Sequence, residues 1–219
     1  MAKAVIFDMD DVIADTSDAH SKAWDLVFNK YDVSMRDVDN DTISRLFGMR
    51  IREISKLLVN YFKLDADPKA IEDERADIFL GLISKGLRPS KGLYELLDML
   101  KAKGLKIALA TSGVREYADL VMDRLGIRDK FNAVITGDDV KNGKPDPEAF
   151  LKAADKLDIE PKDCIVIEDA EKGVEAAHAA GMKAIGYQNL SHPYVQDLKK
   201  ADLVVRSLTE IAESVIDSL

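Results

Sequence analysis

The sequence has one cysteine and three histidines among its 219 residues. A lone thiol excludes an intrachain disulfide, and Cys164 stands in the apolar run Cys164-Ile-Val-Ile167, where a small buried side chain is the ordinary role. So few soft ligands give no basis for a zinc site. Long hydrophobic runs are also missing. No stretch approaches the roughly 18 apolar residues of a membrane span, and residues 4–7, after Met-Ala-Lys, are too short for a signal h-region. The protein is therefore expected to be soluble and cytoplasmic, without a membrane partner. Positive charge is in deficit, with 31 Lys and Arg against 40 Asp and Glu and a net charge of -9. That field repels a polyphosphate backbone, which argues against nucleic acid as a partner. An acidic chain that handles an anionic metabolite must neutralise it locally, with a metal ion or a few placed cations.

Short β-rich runs at 4–7, 106–110, 133–136, 164–167, 183–186 and 203–205 alternate with amphipathic stretches. This pattern predicts an α/β fold, a mostly parallel sheet with helices on both faces. Residues 92–103 show the helical period, with Leu93, Leu96, Leu97 and Leu100 on one stripe and Gly104 closing it. From about 15 to 85 the rhythm changes. No convincing strand occurs there, and amphipathic patterns at 19–30, 42–47, 51–62 and 68–84 predict an all-helical insertion, entered and left through short hinges near 14–17 and 85–91.

In an open parallel sheet, ligands bind at the carboxyl ends of the strands, so the residues that follow each run carry the chemistry. They are Asp8 and Asp10, then Thr111, Ser112 and Gly113, then Glu168 and Asp169, with Lys144 ahead of the helix opened by residues 145–148. Four carboxylates at one edge need a cation, and an all-oxygen set suits a hard ion, with magnesium the natural choice. Asp8 and Asp10 point to the same side of the chain and can divide labour between attack on phosphorus and proton transfer. Thr111 and the amides after it offer donors to phosphate oxygens, and Lys144 adds a point charge. Plainer roles compete: Thr111 or Ser112 as cap of the helix toward Leu125, Asp169 as cap of the helix over 171–180, and Lys144 as a surface lysine.

Taken together, Phe7-Asp8-Met-Asp10, Ala110-Thr111-Ser112-Gly113, Gly143-Lys144-Pro145-Asp146-Pro147 and Ile167-Glu168-Asp169 resemble the four ordered motifs of the haloacid dehalogenase superfamily. The nearest group is the β-phosphoglucomutase and sugar-phosphatase branch. The resemblance implies a Rossmann-like core of residues 1–14 and 89–219 with a helical cap of 15–88. It implies Asp8 as nucleophile and magnesium ligand, and Asp10 as general acid and base that lends its carbonyl to the metal. It makes Asp169 a further ligand, with Glu168 joining it or supporting it, and Thr111 and Lys144 the phosphate binders. One position departs from the family pattern, Asp11 where glycine is usual.

A cap of this kind closes over the leaving group and excludes water, and its candidate contacts are His20, Gly48, Arg50, Arg52 and Arg75. His20 has a competing role in packing at the domain junction. The mutases of the branch resemble one another in a cap Lys-Gly-x-Ser-Arg, whereas this chain reads Phe47-Gly48-Met49-Arg50-Ile51. Hydrolysis of a small phosphorylated metabolite is therefore the expected activity, with a β-phosphoglucomutase-type transfer as the alternative. Two further classes are a non-enzymatic module on an inherited fold, and a phosphonate-cleaving enzyme with Lys22, Lys30 or Lys56 as Schiff-base lysine. The assembly is expected to be a monomer or a weak homo-oligomer.

Overall fold

The computed structural model describes residues 2–189 and 197–219. All six apolar runs become strands of one sheet: β1 (Ala4–Phe7), β4 (Lys106–Ala110), β5 (Ala133–Ile135), β6 (Cys164–Glu168), β7 (Lys183–Tyr187) and β8 (Leu203–Val205). Their order is β5-β4-β1-β6-β7-β8, with every neighbouring pair parallel. Successive residues of a strand face opposite sides, and the two faces differ in size. Val5 and Phe7, Ile107 and Leu109, and Ile165 and Ile167 pack with α5 (Leu93–Ala102) and α6 (Arg115–Leu125). Ala4 and Ile6, Ala108 and Ala110, and Cys164 and Val166 meet α7 (Glu148–Leu157) and α8 (Glu171–Ala179) in a layer rich in alanine. Burial on both faces explains why the strands read as continuous apolar runs. Cys164 lies in the second layer, where burial pushes its thiol up to about 11, an inert group. A short helix, α9 (Glu213–Ser218), closes the chain.

Between β1 and α5 stand α1 (Ser17–Phe28), α2 (Asn40–Leu46), α3 (Ile51–Tyr61) and α4 (Pro68–Ile83). They share an apolar cluster that includes Trp24, Phe28, Leu46, Leu58 and Ile71 and draws on no sheet residue. The two expected hinges pair with each other as strands β2 (Ala14–Asp15) and β3 (Arg88–Pro89), antiparallel, Ala14 opposite Pro89. Two-residue strands carry no period, so the sequence does not announce them. Among the described residues no helix is long and apolar enough to cross a membrane.

Candidate active site

The register that sets Phe7 beside Leu109 and Ile167 brings Asp8, Thr111 and Glu168 to one edge of the sheet. Lys144 reaches the same place and binds two carboxylates, with Nζ 2.5 Å from Asp8 Oδ1 and 2.5 Å from Glu168 Oε1. Lys144 and Asp8 are each 6% exposed, and Glu168 1%. Burial disfavours the ammonium, but Asp8 and Glu168 outweigh it and hold the Lys144 pKa above its ordinary value. Asp8 is pushed up to about 7, by burial first, with Lys144 opposing and the charge of Glu168 adding to the rise. Asp169 is raised well above the carboxylate range by burial and by repulsion from Glu168, Asp11 and Asp8.

Oxygen atoms of Asp8, Glu168 and Asp169 lie within 4.8 Å of one another. Three hard donors, two of them held back from ionising, fit a magnesium-sized cation, whose charge would relieve the repulsion among them. The sign of the pH dependence follows. An unfolded Asp8 ionises near pH 4 and the folded one near 7, so the folded state binds the extra proton across that window. Stability contributed at this site is present below pH 4 and is lost as pH rises through 7. In chelator, urea denaturation is expected to lose about 2–4 kcal/mol more between pH 4.5 and 7.5 in the wild type than in Asp8→Asn. Equal losses in the two proteins would refute the assignment.

Glu168 Oε2 accepts the Ala170 amide at 2.7 Å, and α8, whose cap position is Ala170, has no side-chain cap from Asp169. A Cβ on Gly173 would come within 1.8 Å of Glu168 Oε1. Sequence reasoning missed Gly173, although a glycine inside a helix costs about 1 kcal/mol and asks for a packing reason. The amide of Arg115 at the head of α6 is taken by Asp138 at 2.7 Å, so neither Thr111 nor Ser112 is its cap. The Thr111 hydroxyl accepts the Gly113 amide at 3.0 Å, and the Ser112 hydroxyl donates to the Gly48 carbonyl at 3.2 Å.

Asp10 faces the helical insertion. Its Oδ1 accepts from Thr16 Oγ1 at 2.8 Å, His20 Nε2 at 3.0 Å and Tyr117 Oη at 2.5 Å. Burial pulls its pKa upward, but His20 and the hydrogen bonds from His20, Tyr117 and Thr16 prevail and hold it at about 2. The Arg75 guanidinium lies within hydrogen-bond reach of His20 Nδ1 on the far side of the ring from Asp10. The Arg75 guanidinium lies 4.4 Å from the Phe79 ring centre and 5.2 Å from that of Trp24, 2% exposed. His20 stacks on Phe79 at 4.2 Å. The junction role of His20 and its contact with Asp10 thus coexist. Tyr117 was missed because its partner lies 107 residues away and a tyrosine on an amphipathic helix reads as core.

Of the remaining candidates, Arg50 bonds core carbonyls, Gly48 takes φ +71° against the Lys172 side chain, and Arg52 is exposed on α3 within repulsive range of Lys69. Lys22, Lys30 and Lys56 are exposed, unlike the desolvated setting of a Schiff-base lysine.

Asp11 has a plain structural role. It takes the left-handed φ of +57° that glycine supplies without strain, and it adds a carboxylate that accepts the amides of Thr16 and Ser17 at 3.1 Å each and the Ser17 hydroxyl. It therefore caps α1 from five positions before Thr16, and α1 begins at Ser17 rather than the expected 19. Asp11→Ala removes the cap and keeps the strained angle, so a loss of about 2 kcal/mol is expected in urea denaturation. Asp11→Gly should lose less, since it relaxes the backbone.

The chain belongs to the haloacid dehalogenase-like hydrolases, whose family model matches residues 5–187. It is 36% identical to a β-phosphoglucomutase of Bacillus subtilis, over 95% of this chain and 91% of that protein. It is 35% identical to a phosphorylated carbohydrates phosphatase of Thermotoga maritima, over 84% and 83% respectively. Among solved structures, a β-phosphoglucomutase from Clostridium difficile superposes with a TM-score of 0.86 at 30% identity, covering 100% of this chain and 96% of that one.

Proposed function

We propose that this chain is a magnesium-dependent phosphomonoesterase that acts on a phosphorylated carbohydrate through an aspartyl phosphate on Asp8. In this reading residues 15–88 form a cap over a core of 1–14 and 89–219. The observation that carries it is the buried ammonium of Lys144, shared between Asp8 and Glu168 beside Asp169. Such a lysine restrains Asp8 and neutralises an incoming phosphoryl group. The Asp8 oxygen not held by Lys144 attacks phosphorus, while Thr111 and the amides of Ser112 and Gly113 receive phosphate oxygens. Asp10, freed from its three donors and protonated from solvent, gives that proton to the leaving oxygen and then takes one from the water that attacks the aspartyl phosphate. Asp8, Asp169, the Asp10 carbonyl and in part Glu168 would hold a magnesium ion, which would supply positive charge to offset that of the phosphate.

Hydrolysis is favoured over mutase chemistry because a sugar bisphosphate needs a second cation in the cap. Arg50 and Arg75, two of the three arginines considered for that task, are engaged by protein groups. The likeness to two β-phosphoglucomutases supports the alternative. A panel of sugar and polyol phosphates, assayed with magnesium and with chelator, separates them. Magnesium-dependent release of phosphate supports the hydrolase; conversion of β-glucose 1-phosphate to glucose 6-phosphate without release establishes the mutase.

A further inference from the structure

Arg50 stands at the head of α3, where its Nε lies 3.5 Å from the Glu53 carboxylate of the same helix, while the two terminal nitrogens of its guanidinium reach across to the sheet domain. It donates to the carbonyls of Lys141 at 2.6 Å and Val140 at 3.5 Å. From the other side, Glu148 Oε2 accepts the amides of Lys141 and Asn142 at 2.9 and 3.0 Å. The segment is therefore gripped by its carbonyls from the insertion and by its amides from α7. Gly143 follows, and its φ lies outside the left-handed range, so conformation does not call for glycine. Space does: a Cβ there would lie 3.1 Å from Arg50 Nε and 3.5 Å from Cγ. The next residue is Lys144, which holds Asp8 and Glu168.

We infer that Arg50 is a positioning residue that couples closure of the cap to the placement of Lys144, through the backbone of residues 140–143. This rests on the function proposed above, and it differs from a role in touching the substrate's leaving group. Besides the bonds of Asp10 and Asp11 to the first turn of α1, two ties cross the same boundary: Ser112 Oγ donates to the Gly48 carbonyl, and Lys172 Nζ to the Arg45 carbonyl. Both end on the insertion rather than on the 140–143 segment, so Lys172 is a control for closure alone. A planar fork can hold two carbonyls at once, whereas a lysine ammonium at this position serves as a point charge.

Orthophosphate separates the two roles, because it fills the core's phosphate site and has no leaving group for the cap to touch. Its affinity is read by titration calorimetry in magnesium chloride, which requires no turnover. Arg50→Ala is expected to weaken orthophosphate binding about five- to tenfold, with Arg50→Lys between it and the wild type and Lys172→Ala within about twofold of the wild type. Gly143→Ala, which crowds Arg50, should reproduce part of the loss in the wild type and add nothing in the Arg50→Ala background. That pair keeps the question open to measurement if one single variant folds poorly. Unchanged orthophosphate affinity in Arg50→Ala, with KM raised only for sugar phosphates, would overturn the inference and return Arg50 to substrate contact. An equal loss in Lys172→Ala would overturn it in favour of closure alone. Wild-type protein that binds no orthophosphate defeats the phosphatase reading itself, and this inference with it.

Discussion

Asp8→Asn is expected to lower magnesium-dependent phosphate release by about 10⁴-fold or more, with the protein still folded. Asparagine keeps the size of the side chain and an oxygen for Lys144 to bind, but the amide does not attack phosphorus. When the group that bonds to the substrate is removed, the other members of the machinery no longer act together, and single removals of this kind cost nearly the whole covalent contribution. The fold should survive because Asp8 is a strained ion. Its pKa of about 7 means that ionisation in its buried place is unfavourable, and the neutral amide removes that penalty. Steady-state release and thermal denaturation, measured on one preparation, check both halves. Activity within tenfold of the wild type would defeat the mechanism, whatever the stability.

Lys144→Met is expected to damage both properties. The ammonium lies 2.5 Å from each of two buried carboxylates, and its loss leaves them facing each other and Asp169 without a protein cation. Breaking a buried ion pair from one side costs about 3–5 kcal/mol, since the remaining charge stays desolvated. Methionine keeps the length of the stem, so most of that cost is electrostatic. Catalysis should fall about 10²–10³-fold, the usual effect of losing one preorganised group that neutralises transition-state charge. Magnesium should restore part of the stability and little of the rate, because a cation relieves the carboxylates but does not stand where the ammonium stood. Urea denaturation and phosphate release, each with and without magnesium, test this. A variant unchanged in both would place Lys144 outside the machinery.

The core was legible because its signals are local. Six apolar runs buried on both faces became six strands, and the polar residues that follow them gathered at one edge, as Asp8, Thr111 and Glu168 show. The helical insertion was legible from its 3.6-residue period. Long-range contacts were less so. The start of α1 was misplaced by two residues because its cap is Asp11, five residues before Thr16, and not the residue next to the helix. Arg50 was expected to face substrate, and it meets the carbonyls of Val140 and Lys141; a backbone acceptor carries no residue identity and leaves no motif. Arg75 was considered on the same ground, and it packs on Phe79 and Trp24 with its hydrogen bond to His20, an arrangement that depends on how α1 and α4 meet. Tyr117 went unnoticed for a related reason: the turn of α6 brings its hydroxyl to Asp10, and no spacing in the sequence records that turn.

The central claim is that phosphate passes through Asp8. Sodium borohydride reduces an acyl phosphate to the alcohol, so the intermediate can be fixed by a rapid quench of the enzyme at work on a saturating sugar phosphate with magnesium. Peptide mass spectrometry of the segment that holds Phe7-Asp8-Met9-Asp10 then reads the outcome. The account predicts conversion of Asp8 to homoserine, dependent on substrate and on magnesium and absent without turnover. Homoserine at another aspartate, or phosphate release at full rate while Asp8 is never modified, would contradict it.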